Sequence, residues 1–168
     1  MEKVMVIGSP GAGKSTFASA LSRRCGLPVV HLDAEYWQPG WVEYPADAWL
    51  EKLDRIIAAP TWVIDGNYGG SLPQRLAAAD TVVLLDFPTW LCLWRLIKRV
   101  WTFHGRSRPD VAADCPERFD ITFLFYVLMF RTNKTPRNEA LLSRFNGTIH
   151  RFRRPAEAET WLKTIAAT

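Results

Sequence analysis

Short runs of β-branched and aromatic residues alternate along this chain with longer stretches in which apolar side chains recur every three or four positions. Runs at 4–7, 29–32, 62–64, 82–85 and 148–152 are bounded by Gly, Pro or Asp and read as five β-strands. Segments 14–25, 46–58, 72–78, 89–103 and 155–165 carry the helical period. Strands alternating with helices predict an α/β fold, a parallel sheet covered on both faces in three layers. Residues 104–145 break the alternation with a polar Gly/Arg/Pro stretch, an aromatic helix-like run at 119–130 and a basic segment. They read as an insertion between the fourth and fifth strands.

Within 89–103, Trp90, Trp94, Ile97 and Trp101 recur at helical spacing, and Arg95, Arg99, Thr102 and Arg106 continue a second face. The pattern predicts one face that packs into the core and one that is cationic.

A length of 168 residues fits one domain spanning 1–168, and 48% hydrophobic with 23% charged residues is the balance of a chain that folds. Cys25, Cys92 and Cys115 are far apart and without CxxC spacing, which suggests neither a disulfide framework nor a zinc site and makes a reducing, cytoplasmic setting the expectation. The longest apolar run, 123–130, falls well short of the roughly 20 residues that a spanning helix needs. The net charge of +4 divides unevenly, −2 over residues 1–85 and +6 over 86–168. Eleven of the basic residues in the second half are Arg, whose planar fork suits phosphate contacts. A polyphosphate ligand or nucleic acid would explain that bias.

GSPGAGKS at 8–15 resolves part of that choice. It matches G-x-x-x-x-G-K-[ST] in full, after a strand and at the start of a helix. Gly8, Ser9, Pro10, Gly11, Ala12 and Gly13 form a loop whose N–H groups can curl around phosphate oxygens, with Gly11 and Gly13 supplying the backbone freedom. Lys14 is placed to reach the β- and γ-phosphates, Ser15 to ligate Mg²⁺, and Thr16 follows in the first helical turn, where the dipole favours an anion. ATP and Mg²⁺ are the expected cofactors.

Such a loop needs a carboxylate on a neighbouring strand for the metal. Asp65 and Asp86 both end apolar runs. Asp65 is preferred because Gly66 brings the backbone close to a ligand and Asn67 and Tyr68 follow, whereas Asp86 leads into a Phe-Pro turn. Asp33 ends the second strand, where ligands gather in parallel sheets, and is the candidate base or orienting group for a substrate hydroxyl. His31, on the same strand, reads as a core or substrate-wall histidine without a catalytic role.

Taken together, HLDAEYWQPGW (31–41), IDGNY (64–68), LDFPTWLCLWR (85–95) and GRSRPD (105–110) resemble the bacterial P-loop kinases known as DNA topology modulation proteins, relatives of adenylate kinase, over nearly the whole chain. The resemblance implies a five-stranded parallel sheet of adenylate-kinase type in which the strands ending at Asp65 and Asp86 flank the loop strand. It also implies a substrate-binding region at about 34–60 and a helical lid at about 105–140. IDGNY stands where true adenylate kinases carry Asp-Gly-Phe-Pro-Arg, and this chain lacks that Arg, which counts against AMP as acceptor.

Arg95, Arg99, Arg106 and Arg108 are the candidates for clamping the transferring phosphoryl group, the last two in a stretch that Gly105 could hinge over the site. Trp37 and Trp41 flank the Gly40 turn as candidate walls of an acceptor pocket. Arg153, between the last strand and the last helix, is placed to stack on the adenine ring. The reading is an ATP- and Mg²⁺-dependent phosphotransferase acting on a small acceptor, a nucleotide or nucleoside-like metabolite, in a monomer or small homo-oligomer. Its rival is an ATPase or regulator that works at DNA, though the chain shows no nucleic-acid reading module.

Overall fold

The computed structural model describes residues 1–105, 110–117 and 119–165. Five strands, β1 (Lys3–Gly8), β2 (Val29–His31), β5 (Trp62–Asp65), β6 (Thr81–Leu85) and β7 (Thr148–Phe152), form one parallel sheet in the order β2-β5-β1-β6-β7. The loop strand β1 thus lies between the strands that lead to Asp65 and Asp86, as the family resemblance implies. In register, Val6 faces Asp65 and Gly8 faces Leu85.

The alternation of side chains along β1 divides the interior in two. Val4 and Val6 point into a core shared with α1 (Lys14–Cys25), α5 (Thr89–Phe103), α6 (Ile121–Asn133) and α8 (Pro155–Thr164). Met5 and Ile7 point into a second core built with α2 (Leu32–Tyr36), α3 (Ala46–Ala58), α4 (Leu72–Ala78) and α7 (Thr135–Leu142). Buried on both faces, the central strands are apolar between their ends, with Lys3 and Thr81 at the start of β1 and β6 and Asp65 at the end of β5. Asp80 aligns their starting edge: its carboxylate accepts from the N–H groups of Glu2 (2.7 Å) and Lys3 (2.9 Å), and its carbonyl from the Thr148 N–H (3.0 Å).

Three features depart from the sequence reading. The second strand stops at His31, and Leu32 begins a short helix. A two-rung hairpin, β3 (Trp37–Gln38) with β4 (Val42–Glu43), turns through Gly40 and Trp41, too short to leave a periodic signal. The third is a correction to α5, whose tryptophan stripe faces out. Trp90, Trp94 and Trp101 are 69%, 60% and 86% exposed, and the inward face is carried by Cys92 and Leu96. Periodicity fixes a stripe and its width but not its direction. Here the small Cys92 lets the start of α5 press against the phosphate loop, which turns Arg95 and Arg99 toward the interior. Asp120 caps α6, accepting from the N–H groups of Thr122 (2.8 Å) and Phe123 (3.1 Å), and α6 and α7 join the two cores through Val127 and Leu142.

Candidate active site

The phosphate loop leaves β1 at Gly8 and enters α1 at Gly13. Gly13 is the N-cap, with φ 89° and no side-chain cap, so the first helical N–H groups stay directed into the loop. Gly11 has φ 81°, and a Cβ there would stand 2.2 Å from the Cys92 carbonyl oxygen. Only glycine allows the loop and α5 to approach so closely. The Ala12 N–H donates to the Ser9 carbonyl (3.0 Å), Lys14 Nζ donates to the same oxygen (3.3 Å), and Arg95 Nη1 donates to the Ala12 carbonyl (3.0 Å). Asn67 joins from the β5 side, its Oδ1 accepting the Gly8 N–H at 3.2 Å. Burial holds the Lys14 ammonium below the ordinary lysine pKa, against the opposing pull of Asp33 and Asp65.

Asp65 sits at the carboxyl end of β5, 4% exposed. Its Oδ2 accepts the Ser15 hydroxyl at 2.8 Å, and its Oδ1 meets His31 Nδ1. The other imidazole nitrogen lies 3.3 Å from Ser19 Oγ. The bond to Asp65 raises the His31 pKa against the opposing effect of burial. His31 is therefore a ligand of the metal candidate's carboxylate, a role absent from the sequence reading. The one available signal was the pairing of β2 with β5, which puts His31 directly opposite Asp65. Asp86 turns elsewhere, with Arg131 Nη2 donating to its Oδ1 at 3.4 Å. Ser15 and Asp65 are hard oxygen donors brought together at the loop, a set that suits Mg²⁺.

Asp33 lies in the first turn of α2, close enough to oppose the lowering of the Lys14 pKa, and accepts the Tyr68 hydroxyl at 2.8 Å. Arg99 donates from Nε and Nη2 to Oε1 of the buried Glu117 (3.0 and 2.8 Å). The predicted clamp residue is thereby tied to the segment that follows the GRSRP stretch. Arg106 and Arg108 lie outside the described residues. Arg153 stands exposed at the β7–α8 junction, where Glu157 Oε2 accepts its N–H at 2.9 Å. Thr16 is exposed on the first turn of α1. Sequence reasoning missed Arg75, which is fully buried and donates to Ser71 Oγ (3.3 Å) and to the carbonyls of Gly66 (3.0 Å), Asn67 (2.5 Å) and Tyr68 (3.2 Å). One arginine thus holds the whole turn after Asp65.

No family model matches the chain. The adenylate kinase of Gloeobacter violaceus (strain ATCC 29082 / PCC 7421) is 26% identical over 68% of this chain and 71% of its own. Among solved structures, the shikimate kinase of Bacteroides thetaiotaomicron superposes with a TM-score of 0.56 at 15% identity, covering 95% of this chain and 93% of that one. The shikimate kinase of Acinetobacter baumannii in complex with shikimate gives 0.58 at 17% identity, covering 98% and 90%. The likenesses to solved structures show the fold of a P-loop kinase. They do not confirm the narrower resemblance to DNA topology modulation proteins.

Proposed function

We propose that the chain transfers the γ-phosphoryl group of ATP to a small acceptor, with Mg²⁺ as cofactor. The observation that carries this reading is the convergence of Lys14, the Ser15–Asp65 pair and Asp33 at the mouth of one phosphate loop. The loop N–H groups and the α1 N-terminus would hold the β- and γ-phosphates, and Lys14 would neutralise charge that develops on the transferring group. Ser15, directly, and Asp65 would hold Mg²⁺, which supplies charge neutralisation at the phosphates. Asp33, which accepts the Tyr68 hydroxyl, would stand on the acceptor side and orient the attacking group. Arg95 braces the loop from α5.

The substrate region at 34–60 and the lid at 105–140 remain part of this proposal, with Arg106 and Arg108 closing over the γ-phosphate and Arg153 against the base. The rival, an ATPase at DNA, drew on the basic second half. Among the described residues Arg99, Arg131 and Arg151 are engaged with Glu117, Asp86 and Glu139, which leaves a poorer electrostatic track than the sequence suggested.

The test is Lys14→Ala. Transfer measured as ADP release with a metabolite panel should fall by about 10² to 10³, the loss typical of one such donor, with an unchanged circular dichroism spectrum. Turnover at the wild-type rate would remove the loop from the mechanism.

A further inference from the structure

Asp33 stands beside a continuous row of aromatic rings. Centroids lie 5.8 Å apart for Trp49–Tyr68, 4.8 Å for Tyr36–Tyr68, 5.2 Å for Tyr36–Trp37 and 5.4 Å for Trp37–Trp41. Trp49 is buried, while Tyr68, Tyr36, Trp37 and Trp41 are half-buried, so the row runs from the core to solvent past the carboxylate. Packing accounts for Trp49. It does not account for the backbone at Tyr68 and Trp41.

Tyr68 (φ 30°) and Trp41 (φ 63°) both adopt left-handed conformations that bulky residues avoid. Strain of this kind persists where the surrounding structure enforces it, and it clusters at ligand sites. For Tyr68 the enforcing group is Arg75, a buried cation that donates to three main-chain carbonyls of that one turn and to Ser71 Oγ. What the turn delivers is the Tyr68 hydroxyl on Asp33 Oδ1. Trp41 is pinned in turn by its indole N–H, which donates to the Pro116 carbonyl at 3.0 Å.

The charge that the aromatic row meets is a carboxylate. Tyr68 donates to Asp33 Oδ1, the Arg75 guanidinium is spent on the carbonyls of the turn, and ring faces are themselves electron-rich. Lys14 belongs to the phosphate loop, and Lys52 is paired with Glu35 at 2.7 Å. A second anion here would be opposed. A neutral ring would lay its apolar face on the tryptophans and present a hydroxyl to the carboxylate.

Resting on the phosphotransferase reading above, we infer that the acceptor is an uncharged alcohol borne on a compact ring, of the sugar, cyclitol or nucleoside class, with Tyr36, Trp37, Trp41 and Tyr68 as its wall and Asp33 as its base. The acceptor oxygen forms a bond to the γ-phosphorus, the bond from that phosphorus to the bridging oxygen breaks, ADP departs with the electron pair, and the hydroxyl proton passes to Asp33. The opposing arrangement would use Arg137, an exposed guanidinium 3.4 Å from the Gly69 carbonyl, to hold a phosphate on the acceptor.

The experiment uses the full chain with MgATP and a panel of matched pairs: adenosine and AMP, cytidine and CMP, glucose and glucose 6-phosphate, inositol and inositol phosphate. ADP release should rise at least tenfold with one uncharged member and not with its phosphorylated partner. Asp33→Asn should then lower kcat by about 10² to 10⁴ with the KM for ATP unchanged. Arg137→Ala should leave the acceptor KM within twofold. Stimulation by phosphorylated members alone or equally by both members, no stimulation by any member, or a tenfold rise in acceptor KM in Arg137→Ala overturns the inference. If Lys14-dependent ATP hydrolysis persists in those cases, the phosphotransferase reading stands and only the acceptor class falls; if no Lys14-dependent turnover exists, both fall.

Discussion

His31 and Asp65 are direct partners across parallel strands β2 and β5, and the imidazole Nδ1 meets one carboxylate oxygen while Ser15 donates to the other. The carboxylate proposed for Mg²⁺ therefore has its orientation set from both sides. Groups that orient a metal ligand typically contribute 10- to 100-fold to affinity or activity. His31→Ala should raise the Mg²⁺ concentration for half-maximal ADP release by about tenfold, and Asp65→Asn by more. Asp86→Asn should leave it within twofold, because Asp86 faces Arg131. A larger effect from Asp86→Asn in a Mg²⁺ titration would move the metal to the other strand.

Gly11→Ala sets a Cβ 2.2 Å from the Cys92 carbonyl, at a backbone φ of 81°. Neither the loop nor the helix start can give way freely, since Arg95 bonds the Ala12 carbonyl. Combined strain and overpacking should cost about 2–4 kcal/mol. Thermal melting should show the loss, and nucleotide binding by calorimetry should weaken at least tenfold. A variant that melts and binds as the wild type does would mean the loop is looser than drawn.

Arg75→Met removes the donors to three main-chain carbonyls and to Ser71 Oγ in a site with no exposure. Burial already pulls the Arg75 pKa down to about 10, so the guanidinium stays charged at neutral pH. Loss of a buried, fully bonded cation should cost about 3–5 kcal/mol and roughly 10 °C in Tm. The diagnostic readout lies in the acceptor step: at a temperature where the variant is folded, kcat should fall while the KM for ATP holds, as Tyr68 loses its grip on Asp33.

Asp80 supplies the pH dependence. Partial burial acts to raise its pKa, but hydrogen bonds from Thr81 Oγ1 (2.5 Å) and from the Lys3 and Glu2 N–H groups prevail and hold it below the ordinary carboxylate value. A depressed carboxylate contributes stability that is present above the unfolded-state value near pH 4 and lost as pH falls through the folded value. Asp80→Asn should be less stable than the wild type by about 1 kcal/mol at pH 7 and should converge with it in urea melts as pH falls below the ordinary carboxylate range. A constant gap across that range would make the contribution one of packing.

The strands and the phosphate loop were legible because their signals are local: Val4 to Ile7 is an apolar run closed by glycine, and GSPGAGKS needs only its own spacing. Arg95 and Arg99 were recognised as a face of α5, but the outward turn of Trp90, Trp94 and Trp101 was not, because it depends on how close Cys92 comes to Gly11. His31 and Asp65 lie 34 positions apart, and their bond exists only once the strand order is known. Arg75 reads in sequence as an ordinary helical arginine. Its burial and its hold on the turn from Gly66 to Tyr68 come from long-range packing that no periodicity carries.

The contact of Gly11 with the Cys92 carbonyl makes α5 a lever whose fulcrum is the phosphate loop. The helix runs 15 residues, about 22 Å at 1.5 Å per residue, from the loop to His104. Gly105 at its far end is held by the Glu117 carbonyl at 3.0 Å. With no slack at the near end, a tilt of about 5° would become a displacement of roughly 2 Å at Gly105. Arm length alone would thus carry any shift of the loop, enlarged, to the other end of the helix.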